Sequence, residues 1–575
     1  MRWAKILISW SLWASMAGGL WAQLVPHTYP AFTRADSLRG ALRPERTSWD
    51  VNHYNLYLSL DIPKRSIRGE NVIRFRVLAP MDRLQLDLFA NLTIDRILWN
   101  SQSLSFEREH NAVWVQLPET LAEGSEHSLT VQYHGQPQAA AKPPWDGGFV
   151  WEEDPTGAPW VGVACEGDGA SLWWPLKDHL GDKPDSIRIT IEGPDTLMAV
   201  CNGDLVTARY PAPGRKSWTW ATTYPINSYN VTFYLGQYTH FQDTYESGEY
   251  GPLQLDYYVL QGNEPQARKH FQQVHGMLDC FEQYLGPYPF RRDGFALVEA
   301  PYWGMEHQSA IAYGNEYENN RYGFDFIILH ESGHEWFGNY ISMADHGELW
   351  IHEAFTTYTE AIYLECTQGA DVAQKYLLDQ RRLIRNQEPI LGPLDVNYTA
   401  WPDADMYYKG TWMLHTLRHI VQDDELWWAS LRQMYDSLGG GTRTTHTAEV
   451  TGYWQQVLGS RLNELAAKMG INPRLGPFFD QFLRCSAPPR LEYALRPAGN
   501  QGWFVYYRWA NVVPGFQYPL SFALNASPLR IYLPPLRVVP TDSWQRTFIP
   551  HSGPLAISPA DELFYCIPQQ VEVPD

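Results

Sequence analysis

Asp325-Phe326-Ile327-Ile328-Leu329-His330-Glu331-Ser332-Gly333-His334-Glu335-Trp336-Phe337-Gly338-Asn339 decides how this chain is read. The apolar run into His330, the aromatic pair after His334 and the Gly-Asn stop predict a buried helix of about four turns. Residues four apart share a helix face, so His330 and His334 aim two imidazoles at one point. Glu331 projects beside them, placed to take a proton from a water activated by a metal held there. Nineteen positions after His334, Glu353 lies in a second predicted helix, Leu349 to Glu360. Two His and one Glu make the three-ligand set of a catalytic zinc, which keeps a position for water where a structural zinc is closed. One Zn2+ per chain is expected. Glu360, seven residues after Glu353 and on the same face, is a candidate acceptor for the outer nitrogen of a ligand imidazole. With 18 His in the chain an H-E-x-x-H match can arise by chance; the helical context on both sides argues for a metal site.

Working outward, the 575 residues predict roughly three or four domains. Aromatic residues make up 14% and charged residues 19%, so long disordered stretches are a poor explanation for any region. The formal net charge of −20 disfavours nucleic acid and anionic membranes as partners, since both require a basic footprint. Residues 1–22 read as a signal peptide: Arg2 and Lys5 precede an apolar stretch from Ile6 to Leu20, and Ala22 is a small residue suited to cleavage. Export to a periplasmic or extracellular location is therefore expected. No membrane-spanning segment is expected once the signal is removed. The six Cys are too few for a disulfide scaffold. Cys485 and Cys566 flank the tail region and are placed to close it, with buried free thiols as the alternative.

Period-two alternation, as in Tyr54 to Ile62, Asn71 to Val77, Ser128 to Tyr133, Ser186 to Glu192 and Ser217 to Tyr234, predicts an all-β sandwich or saddle over 45–243. Over 244–487 one strand at Leu253 to Val259, helix at Pro265 to Tyr284 and a strand at Phe295 to Glu299 lead into the two metal helices. Further helices follow at Tyr407 to Gln422, Glu425 to Ser437 and Pro477 to Leu483. After Pro488-Pro489 alternation returns at Trp503 to Tyr507, Leu520 to Leu524 and Arg530 to Leu533, predicting a small Pro-rich β-sandwich over 488–575. The fold class is multidomain α+β.

With these residues in view, the chain resembles the M1 family of zinc metallopeptidases, the aminopeptidase N and leukotriene hydrolase relatives. His330, Glu331, His334 and Glu353 match that family's zinc signature. Gly304-Met305-Glu306-His307 resembles its G-x-M-E-N signature, with His307 where Asn is usual, and Tyr407-Tyr408-Lys409-Gly410 resembles its Tyr-x-Lys-Gly. A fourth likeness is Glu166, nine residues before Pro175, where the family carries Gln or Glu. The resemblance implies a thermolysin-like mixed α/β catalytic domain and removal of the amino-terminal residue from peptides. It also implies roles: Glu331 as general base and acid, Tyr407 as donor to the oxyanion, Glu306 and Glu166 as the grip on a free α-ammonium. The Gly304 and Met305 backbone would pair with an extended substrate.

Tyr408 is the alternative to Tyr407 as the inward ring. His307 is either a donor near the substrate backbone or a hydrogen-bonded structural residue. His352 and Ala354 depart from the Asn and Gly usual on either side of the third ligand. The chain ends before a large helical-repeat domain would fit, so a more open site is expected. An epoxide hydrolase using the same zinc, and a non-catalytic peptide-binding relative, are the competing functions. The complete ligand set, base and tyrosine argue against the second, and peptides with a free N-terminus are the expected partners. Oligomeric state cannot be read from the sequence.

Overall fold

Alternating apolar residues turn the first part of the chain into sheets. Strands Trp49–Asp61 and Ser66–Val77 pair antiparallel, with Tyr54 opposite Ile73 and Leu58 opposite Gly69, in the middle of an eight-stranded sheet. Tyr54, Leu56, Leu58 and Leu60 are buried, as a period of two requires when one face meets a core. A three-stranded and a four-stranded sheet contribute to the same core. This is a computed structural model, and it describes residues 27–526 and 531–572. The signal peptide read over 1–22 lies outside the described residues.

One predicted run divides. Ser217 to Tyr234 forms strand Arg215–Ala221 and strand Phe233–Gly236, joined by a buried stretch that includes Asn227, Ser228, Tyr229 and Asn230. Pairing stops at Ala221, and Pro225, which has no N–H to give a ladder, lies in the stretch that follows. The interruption matters, because it carries Tyr229 to the site described below.

A five-stranded sheet joins the β region to the helices. Its order is Tyr238–Ser247, Gly251–Leu260, Phe295–Glu299, Ile311–Tyr313, Gly304–Met305. Phe295 and Leu297 pack into the helical core, while Ala296 and Val298 pack into the N-terminal β core. Both faces are therefore covered, and the short strand Gly304–Met305 stands at the edge, antiparallel to Ile311–Tyr313. An edge strand keeps one side of its backbone free to pair with another chain.

The helical region runs through Gln273–Leu285, Phe326–Gly333, Trp350–Gln368, Asp405–Val421 and Asp424–Leu438 to Gly476–Arg484. A disulfide between Cys280 and Cys366 ties helix Gln273–Leu285 to the end of helix Trp350–Gln368. Closure of the tail by Cys485 and Cys566 is thus corrected: both are free, Cys566 buried and Cys485 partly so. Spacing along the chain carries no information on which helices lie side by side, and only that adjacency selects the bonded pair. The last region forms a four-stranded and a three-stranded sheet, whose Leu491, Val505, Trp509 and Phe522 extend the helical core. Among the described residues no helix is long and apolar enough to cross a membrane.

Candidate active site

The histidine helix is shorter than its pattern predicts. Asp325 caps it, its carboxylate accepting from the N–H groups of Ile327 and Ile328, and the helix spans Phe326–Gly333 with His334 at the C-cap. Beyond it the turns tighten: Glu335 N–H donates to the Ser332 carbonyl and Trp336 N–H to the Gly333 carbonyl. Gly338, at φ +141°, reverses the chain, and the Phe337 carbonyl comes back onto His334 Nδ1 at 2.9 Å. The apolar residues Trp336 and Phe337 are buried by this wrapped turn and not by a fourth helical turn.

His330, His334 and Glu353 come together with one ligand atom from each within 4.8 Å of the others. Glu353 Oε2 lies 3.5 Å from Nε2 of each histidine and has no hydrogen-bond partner of its own. Helix Trp350–Gln368 presents Glu353 and Glu360 on one face about 10 Å apart along its axis, two turns at 1.5 Å per residue. The His330 ring sits between them, with Nε2 toward Glu353 and Nδ1 on Glu360 Oε1 at 2.8 Å. Glu360 is itself fully buried and accepts from Gln380 Nε2 at 2.9 Å and from the Tyr376 hydroxyl.

These outer bonds fix the tautomers. The Phe337 carbonyl can only accept, and the Glu360 carboxylate is an acceptor, so each ring carries its proton on Nδ1 and presents a lone pair at Nε2. Nε2 of both rings and Glu353 Oε2 then converge, and two imidazoles with a carboxylate suit zinc. Replacing Glu360 by Gln removes the charge that strengthens His330 as a ligand. Zinc affinity, measured by competition with a chelating dye, is expected to fall about tenfold or more.

Glu331 faces the same space. Burial pushes its carboxyl up to about 7, despite the opposing pull of His330 and His334. A carboxyl group in that range can exchange a proton near neutral pH. Its Oε1 lies against the edge strand: a Cβ added at Gly304 would stand 2.7 Å from it and 2.8 Å from Ile327 Cδ1, so only glycine lets strand and base approach.

On the other side of the ligands are two more carboxylates. Atoms of Glu166, Glu306 and His352 lie within 4.8 Å of one another, as do atoms of Glu306, Glu331 and His334. Glu166 and Glu306, far apart in sequence, therefore face each other beside the metal ligands. Burial raises both, and for Glu166 the neighbouring carboxylates, Glu306 first, add to the rise. Glu166 Oε1 is buried without a partner. Its loop is held from the N-terminal side: Arg39 donates to the Asp168 carbonyl at 2.8 Å and pairs with Asp178 at 2.6 Å. From the catalytic side, His346 Nε2 donates to the Glu166 carbonyl at 3.2 Å.

Two residues of this group escaped the sequence reading as functional. Met343 N–H donates to His352 Nε2 at 2.8 Å, which puts the ring proton on Nδ1, 3.5 Å from the Tyr229 hydroxyl. Tyr229 in turn donates to Glu306 Oε1 at 3.1 Å. The His at position 352 thus orients a tyrosine that orients a carboxylate. The only sequence signal was the departure at 352 itself; Tyr229 lies in the run read as continuous strand.

Tyr407 stacks on His330, with ring centroids 5.9 Å apart and planes 24° from parallel. Its hydroxyl is held neutral by burial and the nearby Glu353. The Tyr408 ring lies 6.3 Å from that of Tyr407, and burial with the nearby Glu360 pushes its hydroxyl up to about 12. Lys409 is buried and donates to the carbonyls of Cys485 at 2.7 Å and Ser486 at 3.0 Å, anchoring the helix that bears Tyr407. Ala354 accepts through its carbonyl from the Thr411 hydroxyl at 3.0 Å, so the two helices touch beside the third ligand. His307 is fully buried, with Nδ1 2.7 Å from the Tyr234 hydroxyl and Nε2 without a hydrogen-bond partner. Aligned on Met305 and Glu306, the glycine of the G-x-M-E-N signature falls at Trp303, and Gly304 fills its variable position.

The chain is similar to known proteins along most of this region. The Peptidase M1 N-terminal domain matches residues 50–230 and the Peptidase family M1 domain matches residues 270–446. Aminopeptidase B of Mus musculus is 26% identical over 252 residues, 41% of this chain and 37% of the mouse protein. Endoplasmic reticulum aminopeptidase 1 of Rattus norvegicus is 22% identical over 258 residues, 42% of this chain and 27% of the rat protein. The chain thus aligns with well under half the length of these two relatives. A crystal structure of an M1 zinc metallopeptidase from Deinococcus radiodurans superposes with a TM-score of 0.60 at 22% identity, covering 72% of this chain and 91% of that one. The two matched domains, in order and over the described sheets and helices, show that the chain belongs to the M1 family of zinc metallopeptidases.

Proposed function

We propose that this protein is a zinc aminopeptidase that removes the N-terminal residue from peptides. The observation that carries the reading is the joining of two sites: a three-acceptor ligand set with Glu331 beside it, and the carboxylates of half-buried Glu166 and buried Glu306 within a few ångströms of each other next to it. A zinc ion in the ligand set supplies Lewis acidity to the scissile carbonyl and acidifies the attacking water. Glu331 takes that water's proton and returns it to the leaving amine. Glu166 and Glu306 hold the α-ammonium, and the backbone of Gly304 and Met305 aligns the peptide as an added strand. Tyr407 keeps its hydroxyl proton and donates it in a hydrogen bond to the oxygen on which charge develops.

Removing that donor is expected to cost about a hundredfold in kcat. Tyr407→Phe should show this loss with little change in KM, while Tyr408→Phe stays within about twofold. Steady-state kinetics on both variants compares the two rings. The Cys280–Cys366 disulfide supports export, since such bonds persist in oxidising compartments. Metal analysis of the purified protein, together with assay against a panel of aminoacyl reporter amides, tests the function as a whole. One zinc per chain with release of the reporter supports it. Absence of bound metal, or no release from any aminoacyl amide, overturns it.

A further inference from the structure

Trp145 and Trp303 are 71% and 41% exposed, and no other tryptophan among the described residues is in the exposed class. Their ring centroids are 6.0 Å apart. Leaving two neighbouring indoles in water forgoes the free energy that burial of so large an apolar surface provides, and such a patch marks a contact surface. This one runs straight into the candidate active site. Trp303 stacks on Phe326 at 5.4 Å, Phe326 stacks on His330 at 5.1 Å, and His330 is a ligand residue.

The Trp303 ring and the loop that carries Trp145 are both held in place. Trp303 Nε1 donates to Asn315 Oδ1 at 3.0 Å, and its carbonyl accepts from Gly314 N–H at 2.8 Å. The Trp145 loop is pinned two residues on, where Gly147 N–H donates to Asp168 Oδ2 at 3.1 Å and the Gly147 carbonyl accepts from Gln138 at 2.8 Å. Asp168 belongs to the loop that carries Glu166.

Position along the edge strand says which part of a substrate meets them. Glu306 marks the α-ammonium, and Gly304, backed by Glu331, marks the bond to be cut. Trp303 lies one residue further, immediately before the strand Gly304–Met305 and at the opposite end of it from Glu306. A peptide whose amino end is at Glu306 and whose first peptide bond is at Gly304 brings its second and third residues beside Trp303. We infer that Trp145 and Trp303 form an aromatic shelf that binds the second and third side chains of the peptide and selects substrates with an aromatic or large apolar residue there.

The inference rests on the aminopeptidase reading for its orientation, and its test separates the two. Tripeptides with one N-terminal residue, carrying Phe-Ala, Ala-Phe or Ala-Ala behind it, are compared by kcat/KM with the zinc-loaded wild type, Trp145→Ala, Trp303→Ala and Tyr210→Ala. Tyr210 is an exposed aromatic elsewhere, 70% accessible. The wild type and Tyr210→Ala are expected to prefer at least one Phe peptide over the Ala-Ala peptide by about tenfold, the scale of one aromatic contact. In both tryptophan variants that ratio falls toward one. The same peptides are titrated by calorimetry into the zinc-loaded Glu331→Gln protein with and without each tryptophan substitution, so the shelf is read even where nothing is cleaved. Cleavage with a wild-type ratio near one, or a ratio that survives both tryptophan substitutions, overturns the shelf and leaves the aminopeptidase reading standing. Tryptophan-dependent binding of the Phe peptides without hydrolysis by the wild type overturns the aminopeptidase reading and leaves the shelf.

Discussion

Glu331→Gln is expected to lower kcat by about a thousandfold while the protein keeps one zinc per chain. General-base catalysis accounts for about two to four orders of magnitude, and glutamine has the shape of glutamate without its capacity to take a proton. The swap adds no heavy atom where Glu331 Oε1 lies close to Gly304, so the site accommodates it sterically. It also tolerates the swap electrostatically. Burial pushes the Glu331 carboxyl up against the pull of His330 and His334, so a neutral side chain at this position avoids the desolvation cost of a buried charge. For an acid whose folded pKa lies above its unfolded value, ionisation costs stability as pH rises past the unfolded pKa, so the neutral variant is not expected to unfold earlier at pH 7. Turnover of a reporter amide, zinc content and thermal midpoint measured on one preparation decide the matter. A variant within about tenfold of wild type would remove Glu331 from proton transfer.

The parts of this site legible in the sequence are those whose partners are fixed by helical spacing. His330 and His334 share a face because they are four apart, and Glu353 and Glu360 because they are seven apart; the structure puts both of these carboxylates on one imidazole, His330. The alternation at Tyr54 to Ile62 and the breaks at proline likewise located the sheets. What could not be read are meetings across elements. Tyr229 reaches Glu306 only because a strand ends early, and His352 reaches Tyr229 only because the wrapped turn after His334 brings Met343 N–H onto its ring. The histidine helix, Phe326–Gly333, is shorter than the apolar pattern for the same kind of reason. Trp336 and Phe337 continue the apolar pattern, yet their burial comes from a turn closed by Gly338. Periodicity reports which residues want to be covered and not what covers them.

Acetylating the N-terminus of a good peptide substrate is expected to lower kcat/KM by roughly two to four orders of magnitude, the consequence of leaving buried charge without its counter-ion. The geometry behind this is specific. An ammonium nitrogen about 2.8 Å from each of two carboxylate oxygens can bridge a separation of about 5.6 Å, and atoms of Glu166 and Glu306 lie within 4.8 Å. Neither carboxylate is paired with Lys or Arg among the described residues; Glu306 has the Tyr229 hydroxyl and Glu166 Oε1 has nothing. A free ammonium therefore meets two desolvated acceptors that have not spent their charge, whereas an acetylated amide brings one weak donor and a methyl group into the same space. The substitution Glu306→Gln separates recognition from chemistry, because it should raise KM for the free peptide and shrink the penalty for acetylation, while zinc content is unchanged. If acetylated and free peptides are cut at equal rates by the wild type, the carboxylate pair does not read the amino terminus and the chain cleaves inside peptides. If the penalty persists undiminished in Glu306→Gln and in Glu166→Gln alike, it comes from steric exclusion of the acetyl group and not from the loss of an ion pair.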